Sequence, residues 1–233
     1  MRHELRIERD VITTLLASHG DKQEYFFSVP SNTQTLTLRD LHLIGSGTGT
    51  HDEHDATIDS AQLCGHTHPN VEGRFISPPS SYDVHSLTRA MKRGIESEDQ
   101  KTICCSHLVV APKNLYMLTV HPVWAMQPIV KIDWTLQERY QSFDALLGGV
   151  EETRHRPCLT LSQYKNMTER MGIPVQVVDA RDSGQDVVFD VYTVESAHIG
   201  WSSMDPSSPL QQPPVPERPD PRNQTTVCRR LQF

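Results

Sequence analysis

The sequence predicts an α/β (α+β) sandwich of mixed strands and helices. Three observations support this class. Several segments carry apolar residues at helical spacing, several short segments are apolar or alternating as in strands, and the two kinds do not follow the regular βαβ rhythm of a doubly wound sheet. A chain of 233 residues is long enough for one domain with appendages.

The helices are predicted from apolar faces and terminal signals. Val11, Ile12, Leu15 and Leu16 share one face of the first helix. The others are marked by terminal signals. One begins with a serine that can cap it, and the last two end at glycine. The predicted helices are RDVITTLLASHG (9–20), SSYDVHSLTRAMKRG (80–94, capped by Ser80 or Ser81), LQERYQSFDALLGG (136–149) and TLSQYKNMTERMGIP (160–174, with Tyr164, Met167 and Met171 on one face).

The strands are predicted from short apolar or alternating segments bounded by turn residues. One segment, TLTLRDLHLIG (35–45), changes phase near Asp40, and we interpret it as a single strand with a bulge or bend. The others are EYFFSV (24–29, ended by Pro30), the apolar approach to His66 in ATIDSAQLCGHTHP, two strands joined by a turn at 112–114 in HLVVAPKNLYMLTV, VQVVD (175–179) and VVFDVYTV (187–194).

The chain divides into three predicted regions. Residues 1–125 form the core domain, and residues 126–201 either complete its sheet or form a recognition lobe. Residues 202–233 contain seven prolines and few apolar side chains. Such a segment cannot bury enough surface to offset its ordering entropy, so we expect a disordered tail.

Composition excludes some classes of protein. A net charge of -7 without a basic stripe argues against nucleic-acid binding, and no apolar run is long enough to span a membrane. The N-terminus MRHELRIERD lacks the apolar core of a signal peptide. Five cysteines without a CxxC pair fit a reduced, intracellular protein of the cytoplasm or nucleus, in which Cys104 and Cys105 are packing residues.

The main chemical signal is the segment GHTHPNVEGRFISPPSSYD, which begins at Gly65. Side chains two apart on an extended segment point to the same face, so His66 and His68 can converge on one metal ion while Thr67 points away. A catalytic zinc site needs three protein ligands and an open position. Asp83, at the start of a predicted helix, is the best third ligand. The alternative that a His-rich turn binds no metal stays open, because the chain has 12 histidines.

These residues resemble the zinc-binding signature of the JAMM (MPN+, JAB-domain) metalloproteases, which consists of an upstream Glu, His-x-His-Pro and Ser-x-x-Asp. The resemblance extends over about 10–120 and implies that His66, His68 and Asp83 bind Zn²⁺ and that Ser80 stabilises the tetrahedral intermediate. It also implies that residues 1–125 form an MPN/JAB-like metalloprotease core, a mixed sheet flanked by helices with cytidine-deaminase-like layering.

The sequence departs from the family pattern in one place. Fourteen residues separate His68 from Asp83, where the family usually has about ten. We interpret the difference as a four-residue insertion within NVEGRFISPP, which a surface loop can absorb at small entropic cost.

The family's general base maps onto Glu24, which stands after the first helix at the start of a predicted strand. Glu53 is the alternative base. The surrounding THDEHD segment could hold a second metal through His51, His54 and Asp55, although a polar loop is the commoner reading. His85 points elsewhere on its helix and is not expected to be a ligand.

The resemblance implies a zinc metallopeptidase or isopeptidase, a JAMM-type, deubiquitinase-like hydrolase whose substrate is a protein or peptide, often a ubiquitin-like protein joined to lysine. Two alternatives stay open. One is a catalytically inactive MPN-like scaffold that acts as a binding module. The other, less favoured, is a metallophosphoesterase, because GHTH also resembles a motif of those enzymes, but their earlier metal motifs do not precede Gly65.

Overall fold

The computed structural model describes residues 1–17, 24–47, 59–68, 78–97, 101–125, 161–170, 173–179 and 185–195. All of them belong to one compact unit, Met1–Ser203. The helix predicted at 136–149 and the tail predicted at 202–233 lie outside the described residues.

The described residues form ten strands and four helices. In chain order these are β1 (Arg2–Ile7), α1 (Arg9–Ala17), β2 (Glu24–Pro30), β3 (Thr35–Leu36), β4 (His42–Gly47), β5 (Gln62–Thr67), α2 (Ser81–Glu96), β6 (Thr102–Cys104), β7 (Ser106–Val110), β8 (Asn114–Thr119), α3 (Pro122–Ala125), α4 (Leu161–Arg170), β9 (Val175–Asp179) and β10 (Val187–Glu195). None of these helices is long and apolar enough to cross a bilayer.

The strands form two sheets. The larger has the order β4-β2-β5-β7-β8-β9, and its neighbours are antiparallel except for the parallel pair β5 and β7. The smaller has the order β3-β1-β10-β6, with β1 and β3 parallel. The mixed α and β class predicted from the sequence is therefore confirmed. β5, the strand that carries the His-Thr-His motif, lies inside the larger sheet and has a neighbour on each side.

The core consists of apolar side chains from both sheets and the helices. The predicted face of α1 is confirmed, since Val11, Ile12 and Leu15 are buried and pack in one cluster with β-strand residues such as Phe27 and Leu108. A second cluster joins α2 and α4 to strands β7 and β8. The motif strand is thus supported by packed side chains from several elements.

Strands that follow residue 160 pair with strands from the first part of the chain. β9 pairs with β8, and β10 pairs with both β1 and β6. The side chain of Gln176 on β9 also bonds both main-chain groups of Asp190 on β10, with N···O distances of 2.8 and 2.9 Å. Gln176 thereby joins the two sheets through hydrogen bonds of the kind that a strand neighbour makes.

The prediction of one bulged strand over 35–45 is wrong. β3 and β4 are separate strands in different sheets. The carboxylate of Asp40 accepts hydrogen bonds from the main-chain N (3.2 Å) and the hydroxyl (2.7 Å) of Thr37 and closes a turn between them. The change of hydrophobic phase near Asp40 marks this turn, because Asp side chains that bond nearby main-chain groups favour turns.

The structure contains strands that the sequence patterns did not predict. β1 alternates between exposed charged residues and the buried Leu5 and Ile7. Arg2 and Arg6 form exposed ion pairs with Asp190 and Asp186, at 2.8 and 2.6 Å. The charged N-terminal segment is therefore the outward face of a strand.

Candidate metal centre

β5 places the two histidines of the motif on one face of the sheet. His66 lies opposite Phe26 of β2 and Val109 of β7 and is fully buried. His68 follows directly after β5, and its main-chain N donates to the carbonyl oxygen of Val110 at 2.8 Å. The centroids of the two imidazole rings are 4.9 Å apart. The convergence of the two rings follows from the alternation of side chains along an extended chain.

Thr67, between the two histidines, has a structural role. Its hydroxyl accepts a hydrogen bond from the main-chain N of Tyr25 at 3.0 Å, and the side chain is fully buried. This bond fixes β2 against β5 at the end of the strand pair. It thereby helps to set which residue of β2 lies next to His68.

Gly65, before the first histidine, is required by close packing. A Cβ atom at this position would lie 2.5 Å from the carbonyl oxygen of Leu108 and would overlap the ring of Phe27. Real side chains do not make such contacts. The glycine of the motif therefore allows β5 to lie between β2 and β7 with an aromatic ring across it.

α2 brings the carboxylate of Asp83 to the histidines. Ser80, one of the two serines predicted as the N-cap, caps the helix and forms a capping box with Asp83. The main-chain N and the hydroxyl of Ser80, the latter at 2.9 Å, both donate to Oδ2 of Asp83. Asp83 is fully buried. Because Oδ2 is bonded to the cap, the carboxylate has a fixed orientation.

The three residues predicted as metal ligands lie together. His66 Nε2 is 3.1 Å from Asp83 Oδ1, and His68 Nε2 is 3.8 Å from Asp83 Oδ2. Two ligands of one tetrahedral zinc ion, each at about 2.0–2.2 Å, are separated by roughly 3.3–3.6 Å. The 3.1 Å between His66 Nε2 and Asp83 Oδ1 is close to that range, whereas the 3.8 Å from His68 Nε2 is measured to the other carboxylate oxygen. The residues present supply the imidazole and carboxylate donors of a zinc site, and binding of all three to one ion requires a shift of His68 or of the carboxylate.

Glu24 lies beside this group. It is the first residue of β2 and is half-buried. β2 and β5 are antiparallel with Phe26 opposite His66, so Glu24, two residues before Phe26, comes next to His68. One ligand atom from each of Glu24, His66 and His68 lies within 4.8 Å of the others.

His107, at the start of β7, belongs to the site and was not predicted. Its Nε2 lies 2.8 Å from Nδ1 of His66, and the centroids of the two rings are 5.0 Å apart. His66, Asp83 and His107 form a second group of ligand atoms within 4.8 Å of one another, and all three are buried. The sequence did offer one signal for His107, which directly precedes the apolar residues of HLVV. A histidine buried in such a strand needs a hydrogen-bond partner.

The remaining residues considered in the sequence do not enter the described site. Glu53, His51, His54 and Asp55 lie outside the described residues, as does most of the predicted insertion. His85 is half-buried on α2 and is in neither group of ligand atoms found among the described residues. The choice between Glu24 and Glu53 as general base therefore rests on the position of Glu24 alone.

The described cysteines do not extend the metal group. Cys104 and Cys105 are reduced and buried, so the prediction that they are packing residues is confirmed. Cys64, two residues before His66, is also reduced and packs against Ala90 of α2. Burial raises the pKa of the Cys64 thiol to about 11.

Comparison of the chain with protein-family models, with curated proteins and with solved structures found no match. The site is therefore defined by its own residues. It consists of two histidines close to a buried aspartate, a glutamate beside the histidines, and a third histidine that contacts the first.

Proposed function

We propose that the protein is a zinc-dependent hydrolase of amide or isopeptide bonds, of the JAMM type. The observation that carries the proposal is the convergence of two imidazoles on the buried carboxylate of Asp83, with His66 Nε2 at 3.1 Å from Oδ1 and His68 Nε2 at 3.8 Å from Oδ2. Glu24, which has a ligand atom within 4.8 Å of one from each of His66 and His68, would supply the general base that such a reaction needs. The two-sheet α+β architecture is compatible with an MPN/JAB-like core.

His66, His68 and Asp83 would hold the metal. Asp83 can contribute Oδ1 while Oδ2 stays bonded to Ser80, so the cap keeps the carboxylate in place during turnover. A zinc ion held by these residues would supply Lewis acidity, which polarises a carbonyl and makes water a better nucleophile near neutral pH.

Glu24 would accept the proton of the attacking water and deliver it to the leaving amine. The residue is half-buried at the start of β2, so it is close to the histidines and also accessible to a substrate. Its position beside His68 follows from the pairing of β2 with β5. Proton transfer by a positioned carboxylate contributes typically 10²–10⁴-fold in rate.

Ser80 would have two roles. Its hydroxyl donates to Asp83 Oδ2, which keeps the carboxylate in position. Rotation of the hydroxyl toward the substrate would let it donate to the oxygen that gains negative charge, while the main-chain N of Ser80 continues to hold Oδ2. A donor of this kind is worth about 10²–10³ in kcat.

The proposed substrate is a protein or peptide. One of its amide bonds must reach the site formed where β2 begins and β5 ends. The resemblance to JAMM enzymes favours an isopeptide bond between a ubiquitin-like protein and lysine.

The proposal is tested by elemental analysis for zinc, followed by cleavage assays on peptides and on isopeptide-linked ubiquitin. We expect about one zinc ion per chain in the wild type. Glu24→Gln should keep the metal and lose cleavage, and His68→Ala should lose both. The matched control is His85→Ala, which removes a histidine of α2 outside the group and should leave both properties unchanged.

Two outcomes would contradict parts of this proposal. Cleavage that survives in Glu24→Gln would move the general base to Glu53. A folded wild-type protein without stoichiometric zinc would rule out the hydrolase and favour the binding-module alternative.

A further inference from the structure

We propose that His107 is a positioning residue that holds the ring of His66 so that its Nε2 faces the metal site. The inference deepens the proposed function and rests on it, because it assigns a partner to a residue that would bind zinc. The zinc signature has no position that corresponds to His107. The contact between the two rings supports the role assigned to it.

The contact between the rings is a hydrogen bond. The 2.8 Å between His66 Nδ1 and His107 Nε2 is within the usual range for such bonds. The bond is made by His66 Nδ1, whereas the other ring nitrogen, Nε2, lies 3.1 Å from Asp83 Oδ1. An ion held between His66 Nε2 and Asp83 would therefore lie on the other side of the ring from His107, which serves as a hydrogen-bond partner of His66 instead of a further ligand on that ion.

The direction of the hydrogen bond follows from the other side of the ring. His66 Nε2 lies 3.1 Å from Asp83 Oδ1, the side on which the ion would be held. A nitrogen that binds zinc offers a lone pair, so the proton of a neutral His66 must be on Nδ1. Nδ1 then donates to His107 Nε2, which accepts.

His107 is well placed to hold this arrangement. It is about 1% exposed, and β7 is paired on one side with β5 and on the other with β8. Because β7 has a paired strand on each side, it cannot shift without breaking main-chain hydrogen bonds. The hydrogen bond transmits this rigidity to His66, and partners of this kind typically change metal affinity or activity by about 10–100-fold when removed.

The test uses two substitutions at His107 in the full chain and one control. His107→Phe keeps a ring of similar size but removes the accepting nitrogen, while His107→Gln offers a carbonyl oxygen near the same place. Leu108→Ala, at the next position of β7, removes a buried side chain and should weaken folding without touching the imidazoles. Zinc affinity is measured by competition with a chromophoric chelator, below the unfolding temperature of each variant.

We expect His107→Phe to bind zinc about 10–100-fold more weakly than wild type. His107→Gln should recover most of that loss, and Leu108→Ala should match wild type. Nitrogen-15 spectra of zinc-loaded wild-type protein supply a second readout that needs no substitution. They should show His66 protonated at Nδ1 and coupled to His107 Nε2.

Wild-type affinity in His107→Phe, or a proton on Nε2 of His66 in the loaded protein, would overturn the inference. The outcomes also separate it from the proposed function. A zinc-loaded protein that cleaves nothing, but loses affinity in His107→Phe, would contradict only the hydrolase. Cleavage with no effect of His107→Phe would contradict only the role of His107, and a wild type that binds no zinc would overturn both.

Discussion

The hydroxyl of Tyr164 donates a hydrogen bond to the carbonyl oxygen of Pro79 at 3.2 Å, and so connects α4 to the residue directly before the cap of α2. The ring of Tyr164 is also buried edge-on against Tyr116, with ring centroids 6.0 Å apart. A helix from late in the chain therefore supports the point at which the carboxylate of Asp83 enters the site.

We predict that Tyr164→Phe lowers the free energy of unfolding by about 1 kcal/mol, because it removes one buried hydrogen bond and keeps the ring. Tyr164→Ala should cost about 3–5 kcal/mol through the cavity that it leaves. Urea denaturation followed by fluorescence measures both. Equal stability of Tyr164→Phe and wild type would show that the bond to Pro79 contributes nothing.

Loss of the Ser80 side chain should affect both stability and turnover. Removal of the cap in Ser80→Ala is expected to lower the free energy of unfolding by about 1 kcal/mol. If the hydroxyl also assists the reaction, kcat should fall by a further 10²–10³-fold at saturating zinc. The control is Ser97→Ala, a serine at the exposed C-terminal end of the same helix, which should change neither.

Gly65 and Gly45 form a matched pair for a test of packing at the motif. Gly65→Ala should lower the free energy of unfolding by about 1–3 kcal/mol, because the added methyl group meets Phe27 and the carbonyl of Leu108. Gly45→Ala, where no atom lies within 4 Å, should be neutral within about 0.5 kcal/mol. Thermal and urea unfolding of the two variants measures the difference. Equal losses would contradict the steric explanation for the glycine of the motif.

The buried thiols should make the fold sensitive to alkali. Burial raises the pKa of Cys104 and Cys105 to about 12 each, from an ordinary value of 9.0. The folded protein therefore holds these protons more tightly than the unfolded chain does. This contribution to stability is complete below about pH 9 and is lost as the pH rises toward 12.

Denaturation under reducing conditions between pH 8 and about 11 measures this effect. The free energy of unfolding should fall with pH, and the fall should be smaller in Cys104→Ala. Labelling by a thiol reagent at pH 7 should be slow at the described cysteines until the protein unfolds. Fast labelling of Cys104 in the folded protein would contradict the burial on which the prediction rests.

Local patterns were sufficient for much of the fold. The apolar face of α1 and the cap at Ser80 are signals within one helix or its first turn, and the structure confirms them. The approach of His66 and His68 follows from the period of two in an extended chain. Asp83 was expected beside them from its place at the start of a predicted helix and from the resemblance, and the structure shows the three residues together.

Features that depend on pairing between distant segments were not predictable. His107 reaches His66 only because β5 and β7 pair in parallel, and the two residues are 41 positions apart. β1 pairs with β10, which lies about 180 positions later in the sequence. Its exposed residues are mostly charged, so the two buried residues were not recognised as one face of a strand. The error at Asp40 has a local cause. Its side chain accepts a hydrogen bond from Thr37 and forms a turn, so the apparently continuous strand is two strands.

The parallel step between β5 and β7 has a consequence for biosynthesis. His66 and His68 leave the ribosome before Asp83, and His107 follows later still, so the earliest part of the motif emerges without its buried partners. β7 in turn gains its second neighbour only after β8 has been made. A nascent fragment that ends soon after the HTH sequence would therefore carry only two imidazoles, and the buried carboxylate and third histidine would join them only after β8 has been made.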